Sequence, residues 1–235
     1  MANIVIDKLA ISDKNFIGIF LYGSQNYHLG CDSSDTDAIM LIREAKKPKQ
    51  EVFLSNGLVK VYTIKYFLYR LKQGDLECYE ILYTAHRFIN SLYEESFNRF
   101  VKNFSEHLNY DSIKAALLAK LIEHLDSVFW IPCNTDNSKY NKKRLYWAIR
   151  VCNQVQRIIE GESFKSSLVY KPTLDCDLLK IKTITNYLSL KELNQIYKYL
   201  VDYAKALPRF EKHVTQGEEI CMSILYKELS DNNRC

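Results

Sequence analysis

One strand–turn–strand segment near the N-terminus constrains the fold of this chain more than any other feature. The apolar run at residues 17–22 is typical of a buried strand and leads directly into Gly23. A second apolar run, at residues 38–42, begins immediately after Asp35 and Asp37. Side chains two residues apart on a strand project to the same side. We therefore expect the two carboxylates to lie together where the second strand begins.

The residue types of this segment suit a site for a metal and a phosphate. Paired carboxylates supply the hard oxygen ligands that Mg²⁺ and Mn²⁺ prefer, and such ions complete their coordination with water and substrate phosphates. Gly23 lets the backbone approach a ligand closely, and Ser24 with the following amides is placed to open a short helix facing a phosphate. The alternative is that residues 32–37 form a solvated polar turn, which Asp and Ser favour in any protein.

The order of these residues resembles a known signature. Gly-Ser at 23–24 followed by Ser-Asp-Thr-Asp at 34–37 is similar to the Gly-Ser turn and Ser-Asp-x-Asp motif of the DNA polymerase beta superfamily of nucleotidyltransferases. The resemblance implies an NTP substrate, an acceptor hydroxyl and a Mg²⁺ (or Mn²⁺) cofactor. It implies catalytic and metal-binding roles for Asp35 and Asp37. It implies nucleotide-binding roles for Gly23, Ser24 and Ser34.

Two later segments resemble one branch of that superfamily, the predicted nucleotidyltransferases associated with RNA repair and found in phages. Residues 74–82 look like its Gly-Asn-Pro-x-x-x-Glu-x-Leu segment, with Glu80 at the glutamate. Residues 140–150 look like its Tyr-Asp-x-Lys-x-x-x-His-x-x-Arg segment, with Trp147 in place of the histidine. The branch implies an RNA end as acceptor, whereas protein hydroxyls and small molecules such as aminoglycosides also serve as acceptors in the superfamily as a whole.

Three further residues are candidates for the site. Lys143 and Arg150 take the basic positions of the second segment and are expected to bind the nucleotide. Together with Arg157 they are spaced seven residues apart, so they align along one side of a helix predicted at residues 138–160. Such a stripe could grip a triphosphate or an RNA backbone, and the alternative is an ordinary solvated face. His28, between the turn and the acidic pair, is a further candidate, as is Glu80.

The third acidic residue of the superfamily is missing from the strand that should carry it. That strand is predicted at residues 58–63, and no Asp or Glu lies between Val52 and Lys72. The nearest acids along the chain are Glu51, Asp75, Glu77 and Glu80. Either one of these acts from another element, or the chain keeps the fold as a nucleotide- or RNA-binding protein, or as a phage interaction factor, without the chemistry.

The remaining pattern predicts an α+β fold, with a small mixed β-sheet nucleotidyltransferase core over residues 1–90 and a helical C-terminal domain over 91–235. Strands at 51–54 and 58–62 flank Ser-Asn-Gly, a hairpin signal. Thr63 and Asp75 are expected to cap the next two helices, the first of which ends at Gly74. Further helices are predicted at 94–107, 112–130, 138–160, 189–206 and 210–229.

The composition indicates the cellular compartment and the partners of the protein rather than its chemistry. The net charge of +4 over 235 residues is too mild to indicate nucleic acid by itself. We recognise neither a signal peptide nor an apolar run long enough to span a membrane. The seven Cys lack CxxC spacing and the five His lack the spacing of zinc ligands. These features favour a cytoplasmic protein with no membrane partner, and they leave its oligomeric state open.

Overall fold

The expected α+β fold is confirmed, with a five-stranded mixed sheet and many helices. The computed structural model describes residues 2–23, 35–128, 138–168 and 190–231, and of these the side chains at 138–143, 190–193 and 231 lie outside the description. The chain divides into two compact units. The first comprises Met1–Asn109 with His213–Cys235, and the second comprises Tyr110–Lys212.

The elements follow one another along the described parts of the chain. The strands are β1 (Phe16–Leu21), β2 (Ala38–Ile42), β3 (Lys49–Leu54), β4 (Gly57–Thr63) and β5 (Arg87–Ile89). The helices are α1 (Ala2–Leu9), α2 (Ile64–Lys72), α3 (Leu76–Tyr83), α4 (Ser91–Glu106), α5 (Tyr110–Val128), α6 (Ser138–Ile159), α7 (Phe164–Ser167), α8 (Leu190–Ala206) and α9 (Gln216–Asp231).

The sheet of the first unit has the strand order β3-β4-β2-β1-β5. β2 and β4 are parallel, whereas the other neighbouring strands are antiparallel. β2 is central and all five of its residues are buried, which explains its uninterrupted apolar sequence. Its alternate residues Ala38, Met40 and Ile42 face a core cluster that includes Val5 of α1. Neither α1 nor β5 was predicted, because eight and three residues are too short to show a clear hydrophobic period.

Two predicted helix caps are confirmed on the opposite face of the sheet. The side chain of Thr63 accepts a hydrogen bond from the amide of Tyr66 at the start of α2. Asp75 likewise accepts from the amide of Glu77 at the start of α3. Between the two helices Gly74 has a φ of 67°, which a glycine adopts without strain. These caps fix where α3 begins and therefore which of its residues face the sheet.

The division between the units falls after Asn109, not near residue 90, because α4 packs on the sheet. Its buried aromatic residues recur with a helical period, and Phe97 packs against Phe20 of β1 with ring centroids 5.0 Å apart. The last helix, α9, also belongs to the first unit, where it packs against α4 and α2. Its inward residues Met222, Leu225 and Leu229 are buried.

The second unit consists of helices in its described part. α5 packs against α6 and α8, and α6 also packs against α7 and α8. The short helix α7 was not among the predicted helices, and Ser163 caps its first turn. Within the residues placed by the structure, no helix in either unit combines the length and the apolar character needed to cross a membrane.

Candidate functional site

The acidic pair, Asp35 and Asp37, lies at the strand ends where β1 finishes and β2 begins. We call this end of the sheet, with Gly23, the acidic edge. β1 and β2 are antiparallel, with Leu21 opposite Ala38, and the amide of Tyr22 donates to the carbonyl of Asp37 over 3.1 Å. This bond continues the strand pairing one step beyond β1, so Gly23 and the acidic pair meet at the same edge. Asp35 is exposed and Asp37 is partly buried.

The tip of the β3–β4 hairpin holds the residue between the two aspartates. The amide of Thr36 donates to the carbonyl of Asn56 over 2.9 Å. On the next residue, a side-chain oxygen of Asp37 accepts from the amide of Leu58 at 3.3 Å. Gly57 has a φ of 147°, and a Cβ there would overlap the backbone of Thr36. The hairpin therefore reaches the acidic segment only because a glycine occupies its tip.

Gly23 is the turn residue after β1, and Glu80 of α3 holds it. Gly23 has a φ of 75°, a conformation that favours glycine, and among the residues that the structure describes a Cβ there would meet no atom within 4 Å. Its amide donates to Oε2 of Glu80 over 3.3 Å, and Glu80 is buried with 6% of its surface exposed. The structure thus brings Gly23 and Glu80 together. Two different sequence motifs, the Gly-Ser turn and the segment at residues 74–82, had made each of them a candidate for the same site.

A second charged cluster surrounds Tyr22, and sequence reasoning missed it. Nζ of Lys60 lies 5.1 Å from the centroid of the Tyr22 ring and 2.5 Å from Oε2 of Glu77. Burial raises the pKa of Tyr22 well above its ordinary value, and the negative charges of Glu77, Asp37 and Glu80 raise it further. The phenol therefore stays protonated beside three carboxylates. The sequence feature that could have indicated this cluster is Lys60, because it is the single charged residue in β4.

The four acids considered as a third carboxylate have different environments. Glu51 is on the edge strand β3 and pairs with Lys49 at 2.8 Å. Asp75 caps α3 and also pairs with Arg70. Glu77 and Glu80 instead lie one turn apart on α3, and both act electrostatically on Tyr22. These two are therefore the acids that α3 brings towards the Asp37 end of the sheet.

The donor set at the acidic edge fits a single hard cation. Among the residues that the structure describes, no group of three or more His, Cys, Asp or Glu side chains could hold a metal. Mg²⁺ needs no such group, because it is commonly held by one or two carboxylates and completed by water and substrate phosphates. Asp35 and Asp37 meet that requirement, and Asp35 is open to solvent.

Four of the expected site residues cannot be placed in full. Ser24, His28 and Ser34 lie outside the described residues, as does the side chain of Lys143. Arg150 is described and belongs to the second unit, whereas the acidic pair belongs to the first. Its guanidinium lies 4.1 Å from the centroid of the Trp147 ring.

The polar side of α6 is buried where it was expected to form an exposed stripe. Arg150, Gln154 and Arg157 are between 4% and 8% exposed. The guanidinium of Arg157 donates to Glu162 at 2.9 and 2.7 Å and to the carbonyls of Ser166 and Ser167 at 2.7 and 3.2 Å. The alternative of an ordinary solvated face is therefore wrong for Arg150 and Arg157, and Gln154 on the same helix is buried as well. The physical reason is that α5, α7 and α8 pack around α6.

Comparison with known proteins gives a limited result. No protein-family model matches the chain, and no curated protein matches it. Among solved structures, the chain is similar to a crystal structure of a nucleotidyltransferase-like protein from Exiguobacterium sibiricum 255-15. The identity is 11% and the TM-score is 0.36, over 87% of this chain and 73% of that one. A TM-score this low does not establish a shared fold, so this likeness carries no conclusion about function.

Proposed function

We propose that this protein is a metal-dependent nucleotidyltransferase of the cytoplasm that moves a nucleoside monophosphate from an NTP to an acceptor hydroxyl. The observation that carries the proposal is the edge of the sheet at which Gly23, Asp35 and Asp37 meet, with the hairpin tip at Gly57 bonded to the acidic segment. An RNA end is the proposed acceptor, because the later segments of the chain resemble the RNA-repair branch of the superfamily.

Each residue has a proposed task at this edge. Asp35 and Asp37 would hold Mg²⁺ or Mn²⁺, and a bound ion would supply positive charge that offsets the charge of the phosphates. In the proposed transfer the acceptor oxygen forms a bond to the α-phosphorus and the bond from that phosphorus to pyrophosphate breaks. Gly23, Ser24 and Ser34 bind the β- and γ-phosphates. The amide of Gly23 is bonded to Glu80, so a phosphate at that amide must displace or share this carboxylate.

The remaining candidates are assigned to the nucleotide as well. Lys143 and Arg150 contribute positive charge to its phosphates, because guanidinium and ammonium groups bind phosphate oxygens strongly. His28 contacts a phosphate or the base. The assignment of Lys143 and Arg150 follows the resemblance of their segment to the superfamily, whereas that of His28 follows its position between the Gly-Ser turn and the acidic pair.

A second candidate function is nucleotide binding without turnover. The observation that favours it is that β4, the strand expected to carry the third acid, has Lys60 as its single charged residue, and that Lys60 pairs with Glu77. A cation at that position does not help to activate an attacking hydroxyl. This alternative retains the nucleotide-binding residues and loses the transfer step.

A transfer assay separates the two functions. The protein is incubated with each α-labelled NTP, Mg²⁺ or Mn²⁺ and a mixed RNA acceptor pool, beside an Asp35→Asn/Asp37→Asn variant that keeps the size of both side chains. Binding of the metal and of each NTP is measured by calorimetry on both proteins as a second readout. We expect labelled product and metal binding from the wild type alone. Nucleotide binding without product for every acceptor would favour the second function, and absence of both would contradict each.

A further inference from the structure

The β3–β4 hairpin carries an exposed aromatic side chain on its outer strand. Phe53 of β3 is 71% exposed, more than any other large apolar residue in the part of the chain that the structure describes. β3 is an edge strand of the sheet, and native proteins commonly protect such edges with charged side chains. A single exposed apolar residue is common on protein surfaces, so it is the position of Phe53 that carries information.

Phe53 projects from the same face of the sheet as Asp37. Its neighbours along β3 contact the core cluster beneath the other face, where Val52 is a member and Leu54 packs against it. Ala38, which follows Asp37, belongs to that cluster too. Side chains alternate between the two faces of a strand. Phe53 and Asp37 therefore both project away from the cluster.

One row of residues across the sheet joins Phe53 to the acidic edge. Phe53 is paired with Leu58 of β4, and the amide of Leu58 donates to a side-chain oxygen of Asp37 over 3.3 Å. On the other side, the amide of Tyr22 donates to the carbonyl of Asp37. Only β4 lies between β3 and β2, so Phe53 is about 10 Å from Asp37 across the sheet. One nucleotide could therefore place its base at Phe53 and its hydroxyl at the acidic edge.

The order of the strands determines which substrate Phe53 can contact. Gly23, which the proposed function assigns to the β- and γ-phosphates, follows β1, whereas Phe53 lies on the opposite side of β2 and Asp37. In nucleotidyl transfer the attacking hydroxyl and the leaving pyrophosphate lie roughly in line, on opposite sides of the α-phosphorus. With pyrophosphate on the Gly23 side, the acceptor hydroxyl approaches from the side of β3. The acceptor is therefore the substrate that comes nearest to Phe53.

We propose that Phe53 is the stacking platform for the terminal base of a single-stranded RNA acceptor. Stacking on an aromatic ring accommodates any base, because every base has a π-face. The half-buried side chain of Leu58 lies beside Phe53 on the same face and extends the apolar surface. The inference rests on the proposed function and deepens it, because a planar base distinguishes an RNA end from a protein hydroxyl or an aminoglycoside.

Binding of a defined oligonucleotide tests the platform. The probe is a fluorescein-labelled RNA of six adenylates, and a second probe lacks only the base of the 3′-terminal nucleotide. Fluorescence anisotropy measures the binding of both probes in Mg²⁺ without NTP. We expect the wild type to bind the complete probe about tenfold more tightly than the abasic probe, as the gain of one base stack predicts. Phe53→Ala should bind both probes equally, with the affinity that the wild type has for the abasic probe.

Phe88→Ala is the matched control. Phe88 is 62% exposed on β5, the strand at the opposite edge of the same sheet, and its loss should leave the affinity for the complete probe unchanged. Phe53→Trp keeps an aromatic ring and should retain the affinity. The fluorescence of its added indole should be quenched by the unlabelled complete probe and not by the unlabelled abasic probe. Equal effects of Phe53→Ala and Phe88→Ala, or no preference of the wild type for the complete probe, would overturn the proposal.

Two further measurements separate other occupants of this surface. Calorimetry with NTP and Mg²⁺ should give the same NTP affinity for Phe53→Ala as for the wild type. A loss of NTP affinity would assign the stacked base to the nucleotide and overturn the acceptor assignment. Sedimentation should show one oligomeric state for both proteins, and a change of state in the variant would assign Phe53 to an interface between copies of the chain instead.

Steady-state transfer kinetics distinguish failure of this inference from failure of the proposed function. In a wild type that transfers nucleotide, Phe53→Ala should raise the KM for the RNA acceptor about tenfold and leave the KM for NTP unchanged. Transfer with an unchanged acceptor KM would contradict the inference alone. Base-dependent RNA binding that requires Phe53, without transfer to any acceptor, would contradict the proposed catalysis alone.

Discussion

Gly57 lies at the tip of the β3–β4 hairpin with a φ of 147°, and its backbone runs against that of Thr36. The contact matters because Thr36 separates the two aspartates. The hairpin supplies a carbonyl to the amide of Thr36 and an amide to Asp37. Any side chain at the tip would push the hairpin away from the acidic segment. The positions of both carboxylates therefore depend on one glycine that has no chemistry of its own.

Replacing this glycine should disturb both stability and metal binding. Gly57→Ala combines an unfavourable φ with overlap against backbone, so we expect a loss of about 1–3 kcal/mol in the free energy of unfolding. Urea denaturation measures this loss, and calorimetry should show weaker binding of Mn²⁺. Gly161→Ala is the matched control, because its φ is 93° but a Cβ there would meet no atom of the described part of the chain within 4 Å. A loss no larger than that of the control would contradict the role given to the hairpin tip.

Glu80 accepts a hydrogen bond from the amide of Gly23, and the proposed function assigns this same amide to a phosphate. Glu80→Gln keeps an oxygen that can accept from Gly23 and removes one negative charge near the proposed position of the phosphates. We expect NTP to bind at least about threefold more tightly, since repulsion between carboxylate and phosphate is removed. Isothermal titration with NTP and Mg²⁺ measures the change.

The control for this substitution is Glu51→Gln. It makes the same change of charge on β3, where the carboxylate is exposed and paired with Lys49. NTP affinity should remain near that of the wild type. Weaker NTP binding by a folded Glu80→Gln variant would show instead that the charge of Glu80 is needed to position the Gly23 turn.

At the scale of elements, the last helix shows how a local motif sets a boundary. α9 was predicted to begin at residue 210 and begins at Gln216. Thr215 and Glu218 form a capping box, in which the amide of Glu218 donates to the Thr215 hydroxyl at 3.1 Å and the amide of Thr215 donates to Glu218 at 2.8 Å. Glu218 also accepts from the amide of Asn109 at 3.1 Å, which ties the helix start to the end of the preceding segment of the first unit.

Removing the capping hydroxyl should therefore destabilise the first unit. Thr215→Ala is expected to lower the free energy of unfolding by about 1 kcal/mol, the usual cost of losing an N-cap. Thr215→Ser keeps the hydroxyl and should retain most of the stability. Chemical denaturation followed by far-ultraviolet circular dichroism makes the comparison. Equal stability of the Ala and Ser variants would show that the capping box contributes little here.

At the scale of the whole molecule, α9 completes the unit that contains the acidic edge. The chain leaves that unit after Asn109 and returns to it at His213. Leu225 of α9 is 1% exposed within the first unit, and Leu200 of α8 is 2% exposed within the second. The two leucines therefore provide matched probes of the two units.

We expect substitution of each leucine to destabilise its own unit. Leu225→Ala should cost about 2–5 kcal/mol, the range for a buried leucine, and should speed amide hydrogen exchange in β2. Leu200→Ala should instead speed exchange in α5, against which α8 packs. Hydrogen exchange with mass spectrometry resolves the two patterns. If Leu225→Ala increased exchange only in α5, the assignment of α9 to the sheet unit would be wrong.

The sequence by itself determined the features that depend on neighbouring residues. The bounds of β2, the hairpin before β4 and the caps at Thr63 and Asp75 were all predicted, because apolar runs, turn residues and capping side chains act within a few positions. The sequence also assigned Gly23 and the acidic pair to one segment, and the antiparallel pairing of β1 with β2 is what brings them to the same end of the sheet.

Only the tertiary structure decided which distant residues share an environment. Glu80 bonds to Gly23 across 57 positions, and Lys60 meets Glu77 from a different element. The burial of Arg150 and the return of α9 to the sheet unit likewise depend on how helices pack. Periodicity reveals that a helix has two faces. It does not reveal which neighbours cover them, because that depends on the packing free energy of the whole chain.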